Sequence, residues 1–273
     1  MADTAHQVLD VAISAARQAG ALIRKESGSV TPEGISAKGV HDLVTHVDKA
    51  SQSLIVSAIN RYFPSHLVLA EEDEQHDLTP AAPEGRWRWI IDPIDGTTNF
   101  MHGVPPYAVS IGVQRGAQTE VGVVYDVSRD ELFTAVRGEG LRVNGAPAEV
   151  SGTDKLDDAL ITTGFPYREF AHIDQYLAVL KAFMRDARGV RRPGSASVDL
   201  AWVASGRFDG FFETGLSPWD VAAGMLLVQE GGGQVTDYSG SPDATFARQV
   251  IASNGRIHDT MREMVQPMRL VRG

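Results

Sequence analysis

The side chains of this chain best suited to chemistry fall in twelve residues, 89–100, which read WIIDPIDGTTNF. Trp89, Ile90 and Ile91 read as the end of a buried strand, and Pro93, with no N–H to donate, ends the pairing ladder. Asp92 and Asp95 are thereby held on one rigid turn, with carboxylates able to converge on a shared point. Gly96, Thr97 and Thr98 read as the opening of a helix, where unpaired N–H groups and the positive dipole end attract an anion. A carboxylate repels phosphate. A stretch that offers both therefore suits hard divalent cations lying between the acids and a phosphate that rests on backbone amides. An Asp that merely caps a helix is the other use of the same residues, and the DxxDGT core alone leaves the two open.

Residues 219–233, WDVAAGMLLVQEGGG, place another acid, Asp220, at the start of a glycine-ended helix. The two stretches resemble the first and second signatures of the inositol monophosphatase family. The resemblance continues through DLVTHVD (42–48), LAEE (69–72), the hairpin-rich run to Asn144, GVRRPGSAS (189–197) and GFFETG (210–215), and so covers nearly the whole chain. It is nearest in character to the bacterial members. It implies an α+β fold, a layered α-β-α-β-α sandwich of the inositol monophosphatase and fructose-1,6-bisphosphatase type. The chain would form a single catalytic domain over residues 1–273, with an antiparallel-sheet lobe at 1–145 and a mixed lobe at 146–273. The implied activity is a Mg²⁺-dependent, Li⁺-sensitive phosphomonoesterase that hydrolyses myo-inositol monophosphate, working as a homodimer. Rivals within the superfamily are phosphatases for other sugar phosphates, fructose 1,6-bisphosphate, NADP or histidinol phosphate. Some bacterial relatives also bind the transcription machinery, so a transcription-complex partner enters by resemblance.

Residue by residue, the resemblance assigns Glu71, Asp92 and the backbone carbonyl of Ile94 to one metal, and Asp92, Asp95 and Asp220 to a second. A third, weaker magnesium site would use Glu71 and water, and Mn²⁺ could substitute. An all-oxygen ligand set favours these ions over zinc, and four acids following apolar strands or turns would repel one another strongly without a cation. One metal is then expected to position the water and the other to stabilise the leaving alkoxide. The catalytic residues are Thr97, Asp48 and Glu71. A threonine hydroxyl is too weak an acid to serve alone as base, and the family's mechanism relays the proton through Thr97 to Asp48. The amides of Gly96 and Thr97, with Thr98 beside them, would bind phosphate. Asp95, the backbone near Ala196, Glu213 and Asp220 would meet the substrate's hydroxyls. Glu213 closes an apolar strand seven residues before Asp220 and should face the same cleft.

Other polar residues divide less sharply. Arg191 and Arg192 read as a subunit contact or surface salt bridge, with a second phosphate as the other reading. Lys38 lies either near the site or in solvent, and Ser195 is structural because no His supports it as a nucleophile. His41, His46 and His102 show no ligand spacing.

The elements that must hold these residues can be read from spacing. Thr4 and Gln7 form a capping box before an amphipathic helix (Val8, Val11, Ala12, Ala15, Ala19, Leu22, Ile23) that ends near Ser27. Residues 28–47 read as a loop or loose hairpin. Asp48 precedes a helical pattern stopped by Pro64, which makes it an N-cap. Residues 67–70 read as a strand delivering Glu71 and Glu72; adjacent acids on a strand point to opposite faces, so one alone should serve, and the family alignment selects Glu71. Residues 73–86 read as a surface loop. Short β runs at 107–113, 120–126, 131–136 and 141–143 form an antiparallel meander whose last turn is Asn144-Gly145. Beyond it come strands at 159–163, 208–213, 234–237 and 249–253, and helices at 171–188, ended by Gly189, at 198–204 and at 257–268.

With 273 residues, 43% of them hydrophobic and 22% charged, the chain can bury a large core. It has no cysteine, which excludes disulfides, thiolate metal sites and a cysteine nucleophile. A net charge of −10 argues against non-specific nucleic-acid or anionic-membrane binding, and an acidic protein acting on phosphate esters must neutralise its own site. No stretch reads as a signal peptide or membrane span, so a cytoplasmic location is expected.

Overall fold

The computed structural model describes residues 3–28, 35–39, 42–166 and 170–268, with the backbone alone at 35–39 and 42–44. Helix α1 (Ala5–Glu26) begins at the Thr4/Gln7 capping box, and a second box, Thr45/Asp48, opens α2 (His46–Tyr62). The apolar stripes of both helices bury Ala12, Ala19, Ile23, Ile55 and Ile59 against Trp89, Ile91, Val109 and Val123 of a seven-stranded sheet. Each large apolar side chain removed from water in this way contributes about 1.5–3 kcal/mol. That sheet runs β3 (Leu67–Ala70), β4 (Trp87–Asp95), β5 (Ala108–Arg115), β6 (Gln118–Asp126), β7 (Glu131–Val136), β8 (Leu141–Val143) and β9 (Ala146–Ala148) in spatial order. The β3/β4 pair is parallel and the others are antiparallel. β1 (Ile35–Gly39) and β2 (Asp42–Thr45) form a separate antiparallel hairpin.

The opposite face of the sheet receives α5 (Ala196–Ala204) and α6 (Pro218–Glu230), whose all-round apolar sequences fit a buried middle layer. Beyond them a five-stranded sheet runs in the order β11 (Gly189–Arg191), β10 (Leu160–Thr163), β12 (Gly210–Thr214), β14 (Gln249–Ser253) and β13 (Gln234–Thr236). Helices α4 (Ile173–Asp186) and α7 (His258–Val265) close its outer side over Tyr176, Phe183, Phe212, Ile251 and Met261. The layers are thus α-β-α-β-α, as the resemblance implied. A short α3 (Thr97–Met101) follows β4.

Several local readings need correction. Pro93 does not end the ladder: β4 continues to Asp95, which pairs with Ala108 across a bulge after Asp92. A bulge leaves a residue without a ladder partner, which is where a ring without N–H is tolerated. Asp48 is not the N-cap of α2; Thr45 is, and Asp48 sits at the third helical position, reaching back to the cap. Gly189 opens β11, since α4 has already ended at Asp186. The strand β9 was not foreseen; Asn144 (φ 50°) and Gly145 (φ 84°) turn the chain into it, in the conformation that a two-residue hairpin requires.

Candidate active site

Each acid of the motif is positioned by a different local device. The Glu71 amide donates to the Ile91 carbonyl (3.1 Å), extending the β3/β4 pairing by one residue and bringing Glu71 beside Asp92. The turn that follows is pinned from α2: Gln52 donates to the Asp73 carboxyl (2.9 Å) and accepts from the Glu72 amide (2.9 Å). The His76 ring Nε2 lies 3.1 Å from the Ala70 carbonyl and 3.2 Å from that of Glu71, and its ring sits 4.7 Å from Trp219. One imidazole therefore braces the Glu71 turn against the start of α6.

In the bulge, the Ile94 amide donates to Asp92 Oδ1 (3.0 Å), turning that carboxyl back over its own strand. Asp95 Oδ2 accepts from the Ser195 hydroxyl (2.6 Å), the Ser197 hydroxyl (2.5 Å) and the Ser197 amide (2.7 Å), and so lies at the N-terminus of α5. The Ser195 hydroxyl, read from the sequence as structural, holds this acid. Asp220 is the third residue of α6, and its Oδ2 accepts from the Ser217 amide (2.7 Å) in a capping box. Asp48 repeats that arrangement in α2, with Oδ2 held by the Thr45 amide (2.8 Å) and hydroxyl (2.5 Å). Its other oxygen accepts from the Thr97 hydroxyl (2.9 Å), which also lies 2.9 Å from the Ile94 carbonyl. Between β4 and α3, Gly96 has φ 89°, and a Cβ there would fall 3.1 Å from the Pro106 carbonyl and 3.2 Å from that of Gly194. Only glycine fits that turn.

These devices converge. Glu71, Asp92, Ile94, Asp95, Gly96, Thr97, Thr98, Ala196, Glu213 and Asp220 all line one open cleft of about 320 Å³, with Asp48 attached behind Thr97. Among the described residues no three acids or imidazoles are gathered into a ready-closed metal cage. Among the described residues the lining nonetheless carries six acids, Glu71, Asp92, Asp95, Asp199, Glu213 and Asp220, against one cation, Arg192, and neither His nor Cys. Burial first, then Glu71, Asp95 and Asp220, hold the Asp92 carboxyl well above the usual carboxylate range. Asp220 is raised by burial and then by Glu71 and Asp95. Burial raises Asp95 too, against the hydrogen bonds from Ser195 and Ser197, and burial raises Asp48 against those from Thr45 and Thr97. Buried like charges that resist ionising together, on an all-oxygen donor set, fit a hard divalent cation.

Spacing missed other parts of this cleft. Arg192 lines it, with its guanidinium 5.4 Å from the centre of the Phe165 ring, whereas Arg191 ends β11. Glu213 is buried and pushed up to about 8 by that burial, with Arg192 opposing. Its carboxyl occupies the space a side chain at Gly164 would need. Asp199 is another missed wall residue; a lone acid in the otherwise apolar helix ASVDLAWVA was the available signal. His46 and His102 are exposed and do not line the cleft; His41 and the Lys38 side chain fall outside the described residues.

Comparison with known proteins agrees with this architecture. A model of the inositol monophosphatase family matches residues 4–268. The Nus factor SuhB of Escherichia coli is 43% identical over 258 residues, covering 94% of each chain. Among solved structures, the extragenic suppressor protein suhB of Bartonella henselae superposes with a TM-score of 0.89 at 38% identity, over 95% of this chain and 98% of that one. The inositol monophosphatase of an Anabaena (Nostoc) species superposes with a TM-score of 0.81 at 38% identity, over 95% of each chain.

Proposed function

The chain belongs to the inositol monophosphatase family, a family of metal-dependent phosphatases, and from that premise we propose that it hydrolyses myo-inositol monophosphate to inositol and phosphate. The observation that carries the reading is one cleft lined by Glu71, Asp92, Asp95 and Asp220, with Thr97 hydrogen-bonded to Asp48 and with Glu213 also in the lining. Glu71, Asp92 and the Ile94 carbonyl would hold one Mg²⁺, Asp92, Asp95 and Asp220 a second, and Glu71 a weaker third. When bound, these ions, or Mn²⁺ in their place, supply the positive charge that admits a phosphate to an acidic cleft.

The remaining roles belong to the chain's own groups. The Thr97 hydroxyl has one hydrogen and two acceptors at 2.9 Å. When that hydrogen is donated to Asp48, the threonine oxygen can take a proton from water as it passes its own on. Burial raises Asp48, which suits a group that must receive that proton. Glu71 orients the water. The amides of Gly96, Thr97 and Thr98 hold phosphate oxygens, and Asp95, Ala196, Glu213 and Asp220 hold hydroxyls of the leaving alcohol. Lining drawn from residues 71–99 and 164–220 supports one catalytic domain with its site between the lobes 1–145 and 146–273. Li⁺ sensitivity, a homodimer and a cytoplasmic location belong to the same reading and rest on family membership; among the described residues no helix is long and apolar enough to cross a membrane.

The test is phosphate release from a panel of phosphomonoesters, including fructose 1,6-bisphosphate, NADP and histidinol phosphate, with Mg²⁺ and with excess chelator. Inositol 1-phosphate should turn over fastest and only with metal; undiminished turnover in chelator would sink the reading. A second role, in a transcription complex, is favoured by the likeness to proteins named Nus factor SuhB. An inactive Asp95→Asn variant that still associates with that machinery would support it, and no association by the unaltered protein would remove it.

A further inference from the structure

Asp199 carries a carboxyl that the catalytic roles above leave unused. It lies in the first turn of α5, is 1% exposed, and lines the cleft. Burial and then Glu213 raise this carboxyl, with the nearby Thr162 side chain opposing, and Oδ1 is buried with no hydrogen-bond partner. A buried acceptor left open is costly, and it is tolerated where a ligand supplies the missing donor. Two neighbours limit what that ligand can be. The Glu213 carboxyl, lodged over Gly164, lines the same cleft, and of the charged groups around Asp199 it weighs most on it. Arg192 lines the cleft as well and opposes the effect of burial on both acids.

A phosphate would be repelled by such a wall, and an aromatic or alkyl group would leave the open oxygen unsatisfied. A hydroxyl can donate to a carboxylate and accept from a carboxylic acid, and adjacent hydroxyls can do so to two carboxyls at once. We propose that Asp199 is a specificity-determining residue: its open oxygen, together with Glu213, reads adjacent hydroxyls on the alcohol portion of a polyol phosphate. The inference rests on the reading of the cleft as a phosphomonoesterase site and names the part of it that selects the alcohol.

The experiment compares kcat and KM of the unaltered protein, Asp199→Ala and Asp199→Asn on inositol 1-phosphate and on p-nitrophenyl phosphate, which has no polyol. The nearly isosteric Asp199→Asn guards against loss of fold, checked by circular dichroism and Tm. Asp199→Ala should raise KM for inositol 1-phosphate about tenfold and leave p-nitrophenyl phosphate within about twofold. Asp199→Asn, which keeps an acceptor oxygen, should fall between. Equal losses on both substrates, or no loss on either, overturn the role of Asp199 while the phosphatase reading stands. Hydrolysis of neither substrate by the unaltered protein overturns the phosphatase reading and this one with it.

Discussion

The Thr97 hydroxyl and Asp48 Oδ1 are 2.9 Å apart although the residues are separated by 49 positions. The pair joins the turn after β4 to the first turn of α2, and the Thr45 capping box fixes the direction of the Asp48 carboxyl. Proton transfer by a positioned side chain is worth about 10² to 10⁴ in rate. Thr97→Ala should therefore lower kcat at least about a hundredfold with little change in magnesium affinity, measured by turnover and by metal titration. Equal rates for Thr97→Ala and the parent would dispose of the relay.

Asp95→Asn separates charge from shape. The amide oxygen can still accept from Ser195 and Ser197, so α5 should keep its place, but the anionic charge is gone. Because burial already penalises the ionised Asp95, the metal-free variant should melt no lower than the metal-free parent. Ligands bound to the folded state raise Tm. Mg²⁺ should raise Tm of the parent clearly and of the variant much less, with most activity lost. A variant with near-normal turnover would reduce Asp95 to a helix cap.

Gly164→Ala would place a Cβ 1.9 Å from Glu213 Oε1. That oxygen ends a flexible side chain, so the carboxyl swings away and the fold survives. With its pKa pushed up to about 8, Glu213 is largely neutral at pH 7, and a neutral hydrogen bond contributes about 0.5–1.5 kcal/mol. Gly164→Ala and Glu213→Ala should thus each raise KM for inositol 1-phosphate about two- to tenfold, and the double variant should add little more. Steady-state kinetics on inositol 1-phosphate and p-nitrophenyl phosphate check this; additive losses would mean that Gly164 does not act through Glu213.

His258 supplies a pH dependence of stability. Its ring lies 3.0 Å from the hydroxyls of both Thr236 and Ser253, and burial pushes its pKa down to about 4 from 6.5. The unfolded chain then binds the proton more readily, so this contribution is intact above pH 6.5 and is lost as pH falls towards about 4. Between pH 7 and pH 5 the loss is about 2 kcal/mol. Urea unfolding at the two pH values should give the parent a steeper decline than His258→Asn, and equal declines would show that the buried ring does not carry the effect.

How much of this was legible in the chain follows the range of the interaction. The acids of residues 89–100 and 219–233 were readable because each stands in a compact motif, and the Asn144-Gly145 turn and the Thr4/Gln7 cap because their partners lie within a few positions. Even locally the bulge that carries Pro93 was missed, because a proline without N–H reads alike as a stop or as an unpaired residue. Glu213 could be placed by its distance along the chain from Asp220 and by resemblance. Tertiary packing alone decided that Ser195 and Ser197 hold an acid 100 and 102 positions away, that His76 braces Trp219, and that Arg192 rather than Arg191 lines the cleft. The same holds for Gly164, whose missing side chain seats Glu213, and for the open oxygen of Asp199. Spacing along a chain encodes which face a residue shares with its neighbours; it does not encode which distant surface that face will meet. Those choices come from packing two sheets around α5 and α6, and they determine which of the chain's many acids are left facing a ligand.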